Sequence, residues 1–87
     1  MTEIKKTIIV DAIIEPGELL KKLMKIYGIK NIAELSKLSG IPNGTIWNIL
    51  NRGIYMRYGT AIQLSNVFKY PPVLLYAGIL DNTYINQ

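Results

Sequence analysis

The sequence predicts an all-α fold, a bundle of five helices with a short β-strand in front of it. Three observations lead there. From Leu19 onward the apolar residues recur every three or four positions, the spacing of one helix face. Proline and glycine punctuate the chain at Pro16, Gly28, Gly40, Pro42, Gly53 and Pro71-Pro72, leaving helices of a few turns and short connections. Two stretches, Asn31-Ile-Ala-Glu34 and Thr60-Ala-Ile-Gln63, carry side chains suited to closing a first helical turn.

The elements follow in order. Ile8–Val10 and Ala12–Ile14 are rich in β-branched residues and read as a strand, within an arm of residues 1–15. Pro16 ends the strand and opens the first helix, with Glu18 near its positive end and Leu19, Leu20, Leu23, Met24 and Tyr27 on one face. Gly28 stops it. Asn31 caps the second helix, Glu34 reaches back, and Ile32, Leu35 and Leu38 form its apolar face. Pro42-Asn43-Gly44 opens the third, which closes at Asn51-Arg52-Gly53. Ile54–Tyr58 is a loop. Thr60 and Gln63 start the fourth helix, with Ala61, Ile62, Leu64, Ser65, Val67 and Phe68 on its buried side. Pro71-Pro72 starts a fifth, from Val73 to about Ile79. The helical domain spans residues 16–80, and the Asn-rich tail, residues 81–87, is expected to fray.

Composition narrows the chemistry. A chain of 87 residues builds one core and no second one. About half of it is apolar and only 18% is charged, which excludes a solvated, disordered segment. It has no cysteine and no histidine. Disulfide frameworks, thiolate nucleophiles, most zinc sites and every histidine-dependent triad are thereby removed. No spaced pair of carboxylates suggests acid–base work, so the expectation is no enzyme, no catalytic residue, no cofactor and no metal site. Residues 19–69 hold eight of the ten lysines and arginines and one of the six carboxylates, Glu34. A polyanion suits that basic centre; a solvated lysine-rich surface is the plainer alternative. The apolar run Thr7–Ile14 is too short for a membrane span and carries Asp11, so no membrane partner is expected and a cytoplasmic location is.

Residues 32–52 are the most informative. Two short helices meet at a turn centred on Gly40, with small Ser36 at the crossing and Leu35, Ile41, Ile46 and Ile49 filling the angle. The run Leu35-Ser-Lys-Leu-Ser-Gly-Ile-Pro-Asn-Gly-Thr-Ile-Trp-Asn-Ile-Leu-Asn51 resembles the helix-turn-helix of the Cro/repressor (XRE) family. Its usual pattern is Leu-Ala-x-x-x-Gly-Val-Ser-x-x-Thr-Ile-x-x-Ile. Ile49-Leu-Asn51, Thr60-Ala61 and Leu64 continue the match, which covers residues 16–80. Pro16-Gly-Glu-Leu-Leu20 is similar, more weakly, to the opening of HigA-type antitoxins.

The resemblance implies a lambda-repressor-like bundle whose third helix enters the DNA major groove while the second braces it across the phosphates. Carried over, it puts Asn43, Gly44, Thr45, Trp47 and Asn48 against the bases and Ile46, Ile49 and Leu50 inward. Asn43 and Asn48 suit an adenine edge, and Thr45 offers a hydroxyl and a methyl; surface capping is the alternative for all three. Trp47 packs on DNA or belongs to the core or a dimer interface. Lys30, Asn31, Arg52 and Arg57 are the phosphate candidates, with Tyr55 and Tyr58 either donating to phosphate or packing the loop. Lys21, Lys22 and Lys25 read as a solvated helix face.

Three positions and one stretch depart from the family. Ile32 replaces the glutamine that often braces the first groove residue, Pro42 replaces a serine cap, and Ser39 stands where an apolar residue is common. No lysine or arginine lies between Pro42 and Asn51, so the Arg–guanine contact is missing and readout should lean towards A·T pairs. Useful specificity then needs two half-sites and a homodimer. Its contact is expected through Ile8 and Val10 of the strand or Leu75 and Ile79 of the fifth helix; the alternative is a strand folded back on its own chain. The function expected is a sequence-specific regulator of transcription binding double-stranded DNA, a repressor on an inverted-repeat operator. The rivals are an antitoxin that also binds a toxin, and an interaction module with the same fold that no longer binds DNA. A protein partner, toxin or antirepressor, accompanies these readings.

Overall fold

A computed structural model describes residues 12–85, in which six helices and one two-residue strand pairing make an all-α domain. Helix α1 (Pro16–Ile26) starts with proline in its first turn and Glu18 beside the exposed amides, as the sequence suggests. Leu19, Leu20, Leu23 and Met24 turn inward together. Tyr27 closes the helix; its hydroxyl donates to the Phe68 carbonyl at 2.6 Å and its ring meets the Phe68 ring edge-on.

Helix α2 (Ile32–Ser39) is capped by Asn31, whose Oδ1 accepts from the Glu34 amide at 2.8 Å. Glu34 reaches back one residue further than expected, to the Lys30 amide at 2.8 Å. The helix ends at Gly40, held at φ +78°, where any side chain would be strained. Ser36 and Ser39 tie the turn from within: Ser36 Oγ donates to the Ile41 carbonyl, and Ser39 Oγ accepts from the Ile41 amide. The hydroxyl at Ser39 therefore does in the turn what an apolar residue could not. Leu38, expected in the core, is exposed. Residues three apart drift about 60° round a helix; with Leu35 fully buried, Ile32 falls half inside and Leu38 outside.

Helix α3 (Asn43–Arg52) follows after three residues, with Pro42 at its cap position and no side-chain cap, so Asn43 does not cap it. It lies on α1 so closely that a Cβ at Gly17 would collide with the Ile49 carbonyl oxygen. Helix α4 (Tyr58–Phe68) begins two residues before Thr60, correcting the capping-box reading. Gln63 instead donates to the Ser39 carbonyl at 3.3 Å, joining α4 to the end of α2. Ala61, Leu64 and Phe68 face inward, and Ile62, about 100° round from Ala61, is exposed.

The fifth helix is shorter than expected. Helix α5 (Pro72–Ala77) stops before Gly78, and Ile79 enters a strand. Strand β1 (Ala12–Ile13) pairs antiparallel with β2 (Ile79–Leu80), Ala12 opposite Leu80 and Ile13 opposite Ile79. This is the end of the expected N-terminal strand, folded on its own chain; Ile8 and Val10 lie outside the described residues. Residues 82–85, expected to fray, form a helical turn, α6 (Asn82–Ile85). Tyr70 explains the order there. Its buried hydroxyl donates to the Ile79 carbonyl and accepts from the Asp81 amide, and Asp81 Oδ1 accepts from the Thr83 amide. Tyr84 then packs edge-on against the Tyr70 ring.

The core collects Leu19, Leu20, Leu23, Leu35, Ile41, Ile46, Ile49, Leu64, Phe68 and Leu75 from five helices and the α2–α3 turn. Each fully buried side chain of this kind contributes roughly 1.5–3 kcal/mol before conformational entropy is set against it. Among the described residues, no helix is long and apolar enough to cross a membrane.

Candidate nucleic-acid interface

The two sides of α3 differ. Ile46 and Ile49 are buried, whereas Asn43, Gly44, Thr45 and Trp47 are exposed and Asn48 is half-buried. The fold thus brings all five candidate base-contact residues onto the outward side of one helix. Asn51, not among those candidates, joins them by donating from Nδ2 to the Trp47 carbonyl at 3.1 Å.

Two hollows flank that side. The first, about 340 Å³, is lined by Thr45 and Asn48 of α3, by Ile54, Tyr55, Met56 and Arg57 of the following loop, and by Thr60 of α4. Buried Met56 anchors the loop beneath it, leaving Tyr55 and Arg57 exposed at the rim. Two base candidates and two phosphate candidates therefore share one groove. The second hollow, of similar volume, lies at the start of α3 between Ile32, Asn43, Gly44 and Trp47. Among the described residues, no carboxylate lines either hollow. The Arg52 guanidinium lies 5.8 Å from the centre of the Trp47 ring, within cation–π range, so the two form one exposed unit.

The helix starts offer anions different things. At α4 the cap residue, Arg57, makes no side-chain cap and no acidic residue occupies the first turn, leaving backbone amides beside a guanidinium. At α2 the amides of Lys30 and Glu34 are taken by Glu34 and Asn31, and a carboxylate already sits there. Lys30 and Asn31 are exposed, but the Asn31 oxygen is committed to the cap and both stand apart from the two hollows.

The expected dimer residues are placed otherwise. Leu75 is fully buried and has no surface to offer a second chain. Ile79 is half-buried in β2, opposite Ile13. The exposed apolar side chains of this region are Val73 and Tyr76 of α5 with Tyr58 and Ile62 of α4, Tyr58 and Tyr76 touching edge-on. A helix of six residues, apolar on every side, gives no spacing from which its inner face could be read.

Thr60 and Ile54 are groove residues that the sequence did not disclose. Thr60 carries the signature of a cap, and Ile54 reads only as the start of a loop; only the position of α4 beside α3 turns both into lining. No protein-family model, curated protein or solved structure matches the chain.

Proposed function

We propose that this protein is a sequence-specific regulator of transcription that binds double-stranded DNA through a helix-turn-helix, α2 and α3, in a lambda-repressor-like bundle. The observation that carries the reading is the outward side of α3. It presents three hydrogen-bonding side chains, Asn43, Thr45 and Asn48, with no carboxylate among them, on a helix whose other side is fixed by the core. An α-helix of this width fits the major groove, where amide side chains can pair with adenine edges. Arg52, Arg57, Tyr55 and the open amides of α4 serve the phosphates on the flank; Lys30 supplies charge alone.

The protein acts as a repressor by covering a promoter, as a dimer on an inverted repeat. Exposed Tyr58, Ile62, Val73 and Tyr76 support self-association better than Leu75 does. In Pro16-Gly17, the start of the antitoxin-like stretch, proline opens α1 and Gly17 admits the Ile49 carbonyl. An interaction module is the second reading, favoured by exposed Trp47 beside Ile32 in a mainly apolar hollow.

Selection from a random duplex library at about 0.15 M salt tests the proposal. The expected product is an inverted repeat rich in A·T pairs, its half-sites about one helical turn apart. Asn43→Ala with Asn48→Ala should relax the selected sequence, whereas Arg57→Ala should weaken every duplex alike and flatten the salt dependence. A library that enriches nothing, with binding abolished by salt, refutes the regulator and leaves the interaction module.

A further inference from the structure

The hollow at the start of α3 has a feature that the fold does not explain. Gly44 sits in the first turn of the helix, and among the described residues a Cβ built there would meet no atom within 4 Å beyond its chain neighbours and the backbone of its own helix. Its φ is not among the positive ones, so no left-handed conformation requires glycine. Alanine would be the better helix former. Glycine thus keeps open a space that no other side chain among the described residues occupies. The surrounding surface is apolar on two sides, Ile32 from α2 and the half-exposed ring of Trp47, and polar on one, Asn43.

Resting on the DNA-binding reading, the geometry points to this hollow as a seat for the 5-methyl group of a thymine in the major groove. The methyl is the apolar group that a base pair presents there, and an A·T pair presents beside it the adenine edge that Asn43 can bond. Ile32 is apolar where a glutamine would make a polar contact, and it forms one wall. Gly44 lets the helix backbone approach the base, and the Trp47 ring closes the far wall. Charge agrees with that occupant: Arg52 lies over Trp47, and among the described residues no carboxylate lines the hollow to repel the phosphates alongside. Specificity at this position comes from a methyl group, which offsets the missing arginine–guanine contact.

The test uses the full chain and a duplex enriched from the random library, made once with thymidine and once with deoxyuridine at every thymidine position. Deoxyuridine keeps base pairing and removes only the methyl. Affinity should fall about fourfold for each methyl taken out of the hollow, the value of one buried carbon of that size. In Trp47→Ala the two duplexes should bind alike, which separates contact with the methyl from any change in DNA stiffness. Gly44→Ala should bind the thymidine duplex at least fourfold more weakly while its melting temperature stays level or rises. Equal binding of the two duplexes by the native chain, or a deoxyuridine penalty that persists in Trp47→Ala, overturns the methyl seat and leaves the DNA-binding reading intact. No duplex binding at all overturns both.

Discussion

The inward and outward sides of α3 are built under different constraints. Inward, Ile46 and Ile49 are buried to within 1% and the Ile49 carbonyl lies where a Gly17 side chain would be, so each residue has a reason within the fold. Outward, Gly44 has no such reason, and among the described residues no hydrogen bond ties the Asn43, Thr45 or Asn48 side chains to the rest of the fold. The lesson is that a glycine can be read only with its surroundings. Gly17 lacks a side chain because the chain itself fills the space; Gly44 lacks one although, among the described residues, nothing fills the space.

Substitutions can break that contrast or sharpen it, and the largest effects belong inward. Ile46→Ala should lower the unfolding free energy by about 2–5 kcal/mol, measured by urea denaturation, because it leaves a cavity in the packed core. Gly17→Ala should cost about 1–3 kcal/mol, since a backbone atom rather than a flexible side-chain tip must move. A loss below about 0.5 kcal/mol there would mean that α1 and α3 slide apart freely, and the contrast would fail. Gly44→Ala should act in the opposite direction, gaining about 0.5–1 kcal/mol from helix propensity. Smallest of all, Asn43→Ala and Thr45→Ala should each stay within about 0.5 kcal/mol in stability while changing the sequence preference of bound DNA. A stability loss above 1 kcal/mol at Asn43 would give that residue a structural role and remove it from the interface.

Legibility follows the range of the interactions. Asn31 is read correctly, and Glu34 to within one residue, because their partners lie within four residues. Thr60 and Gln63 carry the same pattern and mislead, because the inward row Ala61, Leu64 and Phe68 belongs to a helix that starts at Tyr58 and the carbonyl of Ser39 accepts from Gln63. That acceptor lies on another helix and leaves no local trace. The tail is misread for a similar reason: a hydroxyl at Tyr70 orders residues eleven positions later. On α3, the three-residue step from Ile46 to Ile49 separates the two sides without any tertiary knowledge. The groove does need the fold, since Thr45 and Asn48 meet Tyr55, Arg57 and Thr60 only once the loop is anchored by Met56.

Trp47 has an optical consequence. It is the single tryptophan of the chain, while tyrosine occurs six times, so emission excited at the red edge of absorption comes from this one indole. The indole is about half in water and lies under the Arg52 guanidinium, at the mouth of the Gly44 hollow. Anything that covers the outward side of α3 will dry it, shift its emission and shield it from quenchers, whereas events elsewhere on the folded chain will leave it in solvent. The molecule therefore carries an intrinsic fluorophore whose signal separates occupation of that side from binding anywhere else on the surface.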